Sequence, residues 1–174
     1  SFIGNGTGNT TSSILSYVGN GSGNTASGAG SFIGNGTGNT ASGIHSIIVG
    51  GRLNSATTSY SSIVGGSNNL ASSPWSFIGG GFKNSATTSY SSIVGGKYNL
   101  VSGNSYSNNT SSSFIGGGKY NIALDGYDGS SAVVVGGKNN FAGGSYYSFS
   151  VVVGGNRNSA TGGYSSVLGG NYNR

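Results

Sequence analysis

The chain has 174 residues, of which 37 are glycine, one is proline, none is cysteine or methionine, and only nine side chains are charged. Seven Lys and Arg against two Asp give a net charge of +5, spread along the chain and not gathered with base-stacking aromatics as nucleic-acid binding requires. No disulfide framework is possible, no run approaches the ~18 apolar residues of a membrane-spanning helix, and no secretory leader is visible.

One phrase organises everything, and it is clearest at Ser62-Ile63-Val64-Gly65-Gly66-Ser67-Asn68-Asn69-Leu70-Ala71. Aligned on Gly-x-x-Asn it occurs eleven times, with Asn at 9, 24, 39, 54, 69, 84, 99, 121, 140, 158 and 173. The first seven are 15 residues apart without exception. A fixed short period marks a repeat architecture. It converts a composition that would otherwise suggest disorder into a solenoid, in which each coil adds a few core residues and stacks on the next.

Before each glycine turn stands an apolar doublet, from Phe2-Ile3 and Tyr17-Val18 through Ile63-Val64 to Val167-Leu168. β-Branched and aromatic residues favour strand, and glycine is too frequent for helix. Adjacent strand residues point to opposite faces, so each coil should turn one apolar side chain inward and one outward. A stripe of outward apolar residues marks an association surface, and this predicts a self-associating rod. Aligned on glycine, the turn reads as two lengths. Three residues begin at Gly4, Gly19, Gly34, Gly79 and Gly116, always after a doublet led by Phe or Tyr. Two begin at Gly50, Gly65, Gly95, Gly136, Gly154 and Gly169, always after an aliphatic one. This predicts a bulge-like extra residue that re-aims the neighbouring ring.

Within the turn, Gly51, Gly66, Gly81 and Gly96 should supply positive φ. Asn54, Asn69, Asn84 and Asn99 should adopt the left-handed conformation, bond nearby backbone and line up as an amide ladder. Their expected role is structural. Two residues after Asn comes a small residue, as in Ala26, Ala56, Ala86 and Ala160, which should face a narrow interior. The period is broken by seven extra residues within Ser102–Ser113, four around Asp125–Ser130 and three around Gly143–Ser148, which should form side loops. The expected organisation is one β-solenoid over 1–174, regular over 1–99, insertion-bearing over 100–158 and regular over 159–174. The chain starts and stops mid-phrase, so a segment of a longer protein is expected.

The phrase Ser62-Ile63-Val64-Gly65-Gly66, followed by Asn69-x-Ala71, resembles the head repeats of trimeric autotransporter adhesins of the YadA type. It equally resembles related repeats of bacteriophage and other viral tail fibres. The resemblance spans essentially the whole chain, which is richer in Gly-Gly and Asn and poorer in Ala than those heads. It implies an all-β, left-handed parallel β-roll with one coil per repeat, and three chains packed about a common axis. It further implies an extracellular place, on a virion or a bacterial surface, and a mechanical and adhesive role. Eleven coils spaced by about 4.8 Å make a rod on the order of 50 Å long.

The inventory for catalysis is His45, Asp125 and Asp128, without Glu or Cys, and no acidic residue lies near His45 in sequence. No enzymatic role and no cofactor are expected of this segment. Asp125 and Asp128, flanked by glycine, are a weak candidate for Ca²⁺, set against a plain Asp-Gly turn. Arg52, Lys83, Lys97, Lys119, Lys138 and Arg157 all fall in the Gly-x-x-Asn turn, with Tyr98, Tyr120 and Tyr172. Stacking would align them along one edge. Edge charge protects a rod from unwanted strand pairing and keeps it soluble. The functional alternative is a face formed by Lys97, Tyr98, Lys119, Tyr120, Lys138, Arg157 and Tyr172 that contacts host surface glycans or a receptor. Expected partners are therefore two further copies of the chain and a host glycan or receptor, with neither nucleic acid nor membrane insertion. A different function, ice binding, draws on Thr57-Thr58 and Thr87-Thr88, although later repeats lack Thr at the equivalent places.

Overall fold

In the computed structural model, which describes residues 1–103, 112–126, 130–144 and 149–174, the chain winds into an all-β parallel solenoid. Each strand within a sheet pairs in parallel with the strand one coil before and one coil after, which in the regular coils is the i to i+15 relation of the sequence. Ile33 faces Ile48, Ile48 faces Ile63, and Ala41 faces Ala56. The stacking gives an eleven-stranded sheet, running from Phe2–Ile3 to Ser166–Val167, and a ten-stranded sheet, running from Thr10–Thr11 to Ser159–Ala160. A third line of parallel bridges runs from Thr7 to Asn171. The result is ten complete coils and the start of an eleventh.

The interior is thin and regular. One Ile or Val per coil and one Ala per coil are fully buried, among them Val18, Ile33, Ile48 and Ile63 with Ala26, Ala41, Ala56 and Ala71. They alternate with two polar columns. Asn24, Asn39, Asn54 and their successors are buried, and so are Ser16, Ser31, Ser46, Ser61, Ser76 and Ser91. So small a cross-section cannot hold a second large side chain, hence the Ala and Ser. Buried polar groups persist only when hydrogen-bonded, and most of these are.

Each apolar doublet does divide into one inward and one outward residue, but the two-length turn does not exist. The register pairs Phe77 with Ser62 and Ile78 with Ile63, so Gly79 stands where Val64 stands and both turns have the same length. The inward residue is fixed, and the outward one moves. In Phe77-Ile78 it precedes the inward Ile; in Ile63-Val64 it follows. The aromatic residue always accompanies glycine two places on, because both lie on the outer face and the ring lies across that glycine. A Cβ on Gly34 would stand 3.4 Å from Phe32 Cε1, and one on Gly116 would stand 3.3 Å from Phe114 Cε1. Exchange of bulk between two outer positions replaces the bulge.

Beside the insertions the strands lengthen from two residues to four: Leu100–Gly103, Ile122–Asp125, Ser131–Val134 and Phe149–Val152. The flanks of the expected loops are thus drawn into the sheets, with Leu100–Gly103 paired along its whole length to Ile122–Asp125. The centres of the three insertions lie outside the described residues.

Candidate functional site

The Gly-x-x-Asn corner is built by hydrogen bonds that cross from coil to coil. The main-chain N–H of Asn54 donates to Asn39 Oδ1 at 2.9 Å. Its own Nδ2 donates to Gly50 O at 3.1 Å within the coil and to Gly66 O at 3.0 Å in the next. Asn69, Asn84 and Asn99 repeat the N–H to Oδ1 bond at 3.0 Å. The ladder continues through the insertion-bearing coils, at 3.0 Å from Asn121 to Asn99, 2.9 Å from Asn140 to Asn121 and 3.0 Å from Asn158 to Asn140. Gly66 sits at φ 84°, and a Cβ there would meet Gly81 O at 2.2 Å and Asn69 Nδ2 at 2.7 Å. Gly51, Gly81 and Gly96 share the positive φ. The left-handed non-glycine residue is not Asn. It is the residue before it, such as Leu53, Asn68, Lys83 and Tyr98, with φ of 52–58°, which frees Asn to point inward.

This geometry places the cations. The residue two before Asn forms the third bridge column, which reads Arg52, Ser67, Phe82, Lys97, Lys119, Lys138, Asn156, Asn171. The left-handed residue projects beside it and supplies Lys83, Tyr98, Tyr120, Arg157 and Tyr172. The seven edge residues singled out in the sequence therefore lie along one corner of consecutive coils. Lys97 Nζ lies 5.0 Å from the centroid of Phe82 and 5.3 Å from that of Tyr98. Lys119 Nζ lies 5.0 Å over Tyr120. Arg157 lies 5.1 Å over Tyr172 and its Nη1 donates to the Tyr172 hydroxyl. Tyr98 and Tyr120 stack at 4.9 Å. Cation–π contact of this kind holds exposed cations in place at roughly 0.5–1 kcal/mol each. Phe82, which the edge needs for Lys97 and Lys83, was not legible in the sequence as part of it.

Asp125 and His45 are not brought together. His45 is exposed in the third coil, and Asp125 is buried in the eighth, roughly 24 Å away at about 4.8 Å per coil. Nor is Asp125 in a turn. It ends the strand Ile122–Asp125 opposite Gly103. It accepts from the Ser113 hydroxyl through Oδ1. Burial pushes its carboxyl above the ordinary value, and side-chain bonds with Ser113 and Thr88 oppose that in part. Asp128 lies outside the described residues, and among those described no three His, Asp, Glu or Cys side chains gather as a metal site.

Two further columns emerge only from the stack. His45, Tyr60, Trp75 and Tyr90 occupy the same corner of four successive coils, all at φ 53–61°. Their centroids are 5.5, 4.1 and 6.3 Å apart with near-parallel planes. Their 15-residue spacing was the available signal. The second is the outer face of the eleven-stranded sheet, where Ile47, Val49, Val64, Phe77, Val94 and Val153 are 37–52 % exposed. No known protein family matches the chain, and no curated protein matches it.

Proposed function

We propose that the chain is a structural and adhesive fibre segment, a rod that assembles as a homotrimer through the outer face of its eleven-stranded sheet. The observation that carries this reading is the continuity of that face. Exposed Val, Ile or Phe recurs from Phe2 to Leu168, and contiguous apolar surface of such extent marks an association site on a protein that remains soluble. The choice of three copies follows the resemblance to adhesin and tail-fibre repeats. So does an extracellular setting, on a phage tail fibre or a bacterial surface. The Lys and Tyr edge lies at the Gly-x-x-Asn corner that follows that face and is left to meet a host glycan or receptor. Sedimentation equilibrium of the folded chain should give three times its mass of 17.1 kDa. Val64→Lys with Val94→Lys should release monomers that keep their β circular dichroism. A stable wild-type monomer would overturn the proposal.

Ice binding rests on a different observation. The outer face of the ten-stranded sheet carries paired hydroxyls, with Thr10, Thr25, Thr40 and Ser55 in mutual register. The Thr57-Thr58 doublet does not itself form a face, because Thr58 Oγ1 is buried. The hydroxyl rank is broken by Leu70 and, after Ser85, by Leu100. Thermal hysteresis tests this reading, which fails if the purified chain shows none.

A further inference from the structure

The strongest unexplained feature is a column of like charge. Lys97, Lys119 and Lys138 are directly bridged in three successive coils, so their Cα atoms are spaced by about 4.8 Å. Like charges directly opposite in neighbouring strands destabilise a sheet. Lys83 in the coil before and Arg157 in the coil after extend the run. Among the described residues no acidic side chain faces it. The only acidic residues are Asp125 and Asp128, and Asp125 is buried inside the coil. Contact with Phe82, Tyr98 and Tyr120 fixes the ammonium groups without neutralising them. An anion from outside the chain can supply the offset.

We infer that this edge binds a linear acidic polysaccharide carrying one carboxylate on every sugar, laid parallel to the solenoid axis so that each coil meets one residue of the polymer. This rests on the reading of the edge as a glycan-facing surface and adds its register. The coil rise is comparable to the advance of one hexose unit in an extended chain, so carboxylates recurring at about that interval lie within reach of the flexible side chains of Lys97, Lys119 and Lys138. A duplex nucleic acid presents about one charge per 1.7 Å of axis, far denser than this column. Single strands need free aromatic faces for their bases, whereas Tyr98 and Tyr120 spend a face each on one another.

The test uses the whole chain and a short oligogalacturonate, in which every sugar carries a carboxylate. The comparators are a neutral hexose oligomer, a glycan with a carboxylate on alternate sugars, and oligothymidylate. Calorimetry at low salt should show binding to the uronate in preference to all three. Lys97→Gln, Lys119→Gln and Lys138→Gln combined should weaken it about tenfold or more and lower the salt slope by about two, as expected for three lost charge contacts. Arginine at the same three positions should restore it, which separates lost charge from lost fold. Equal affinity for the alternating glycan would overturn the register while leaving an anionic-glycan edge standing. Failure of every acidic glycan to bind would remove both. Equal or tighter binding of oligothymidylate, or unchanged binding by the triple variant, would also overturn the inference.

Discussion

Two corners of the same coil follow different rules. At the Gly-x-x-Asn corner, side-chain bonds run between coils, since Asn54 holds Asn39 behind it and Gly66 ahead. At the corner where one coil passes into the next, the buried serine column bonds within its own coil, and only scattered hydroxyls such as Ser73 Oγ to Thr87 O and Thr87 Oγ1 to Val101 O reach the neighbouring coil. Ser61 donates to Thr58 O at 2.7 Å, Ser76 to Ser73 O at 2.6 Å and Ser91 to Thr88 O at 2.5 Å. All three insertions fall at the second corner and none at the first. Locking between repeats dictates register and excludes added chain. A corner that satisfies itself can be opened, and there Ser can become Ala132 and Thr88 can be followed two coils later by Asp125.

The sharpest way to break this comparison is to lengthen each corner in turn. Four Gly/Ser residues inserted after Gly66 should abolish the cooperative unfolding transition, because the Asn ladder would be cut. The same insert after Ser89 should cost about 1 kcal/mol, near the closure entropy of a small loop. Equal tolerance at both sites, read by circular dichroism melts, would remove the distinction.

Single substitutions sharpen it. Asn84→Ala removes the acceptor for the Asn99 N–H and the donor to Gly80 and Gly96 carbonyls, so a loss of about 3 kcal/mol is expected from unpaired buried groups. Ser91→Ala removes one local bond and should cost about 1 kcal/mol. Denaturant melts of the two variants, compared at the same oligomeric state, decide it, and a Ser91 loss as large as that of Asn84 would refute the ordering.

Outside both corners, the exchange of bulk on the outer sheet face should be a paired effect. Phe77→Ser with Gly79→Val converts one coil to the pattern of Ser62 and Val64. Gly79→Val alone adds bulk to the outer face that Phe77 shares, with its Cβ 2.3 Å from Val94 O, and a double-mutant cycle should return a coupling of about 1 kcal/mol. Zero coupling would mean that the pattern records repeat duplication and not packing.

The smallest effect is at Asp125. Its folded carboxyl ionises above its ordinary value of 3.8, so the folded chain holds the proton that the unfolded chain has lost. Stability should therefore fall as pH rises above about 3.8 and level off once the folded group ionises. Asp125→Asn should flatten that slope. A slope unchanged by the substitution would assign it elsewhere.

The period, the parallel strands, the inward Ala column and the clustering of cations were legible because each rests on spacing alone. The doublet order was not. Alignment on glycine hides the fixed inward Ile, and only the pairing of Phe77 with Ser62 shows that Gly79 substitutes for Val64. The left-handed position was hidden for a related reason. Asn has the propensity, but its amide is needed inside, so Leu53, Lys83 and Tyr98 take the strained place. The ring column was obscured because Leu15 and Gly30 hold its first two positions. Asp125 looked like half of an Asp-Gly turn, since local chemistry cannot announce that a strand will lengthen to bury it.

The stacked rings make the molecule optically self-reporting. Its one tryptophan, Trp75, is held between Tyr60 at 4.1 Å and Tyr90 at 6.3 Å, with each neighbour contributed by a different coil. Light absorbed by those phenols passes efficiently to the indole while the coils remain stacked and falls off steeply as they separate. Indole emission excited through tyrosine is thus a ruler for the separation of three adjacent coils. A rod that parts there first would lose this emission before its overall β signal declined.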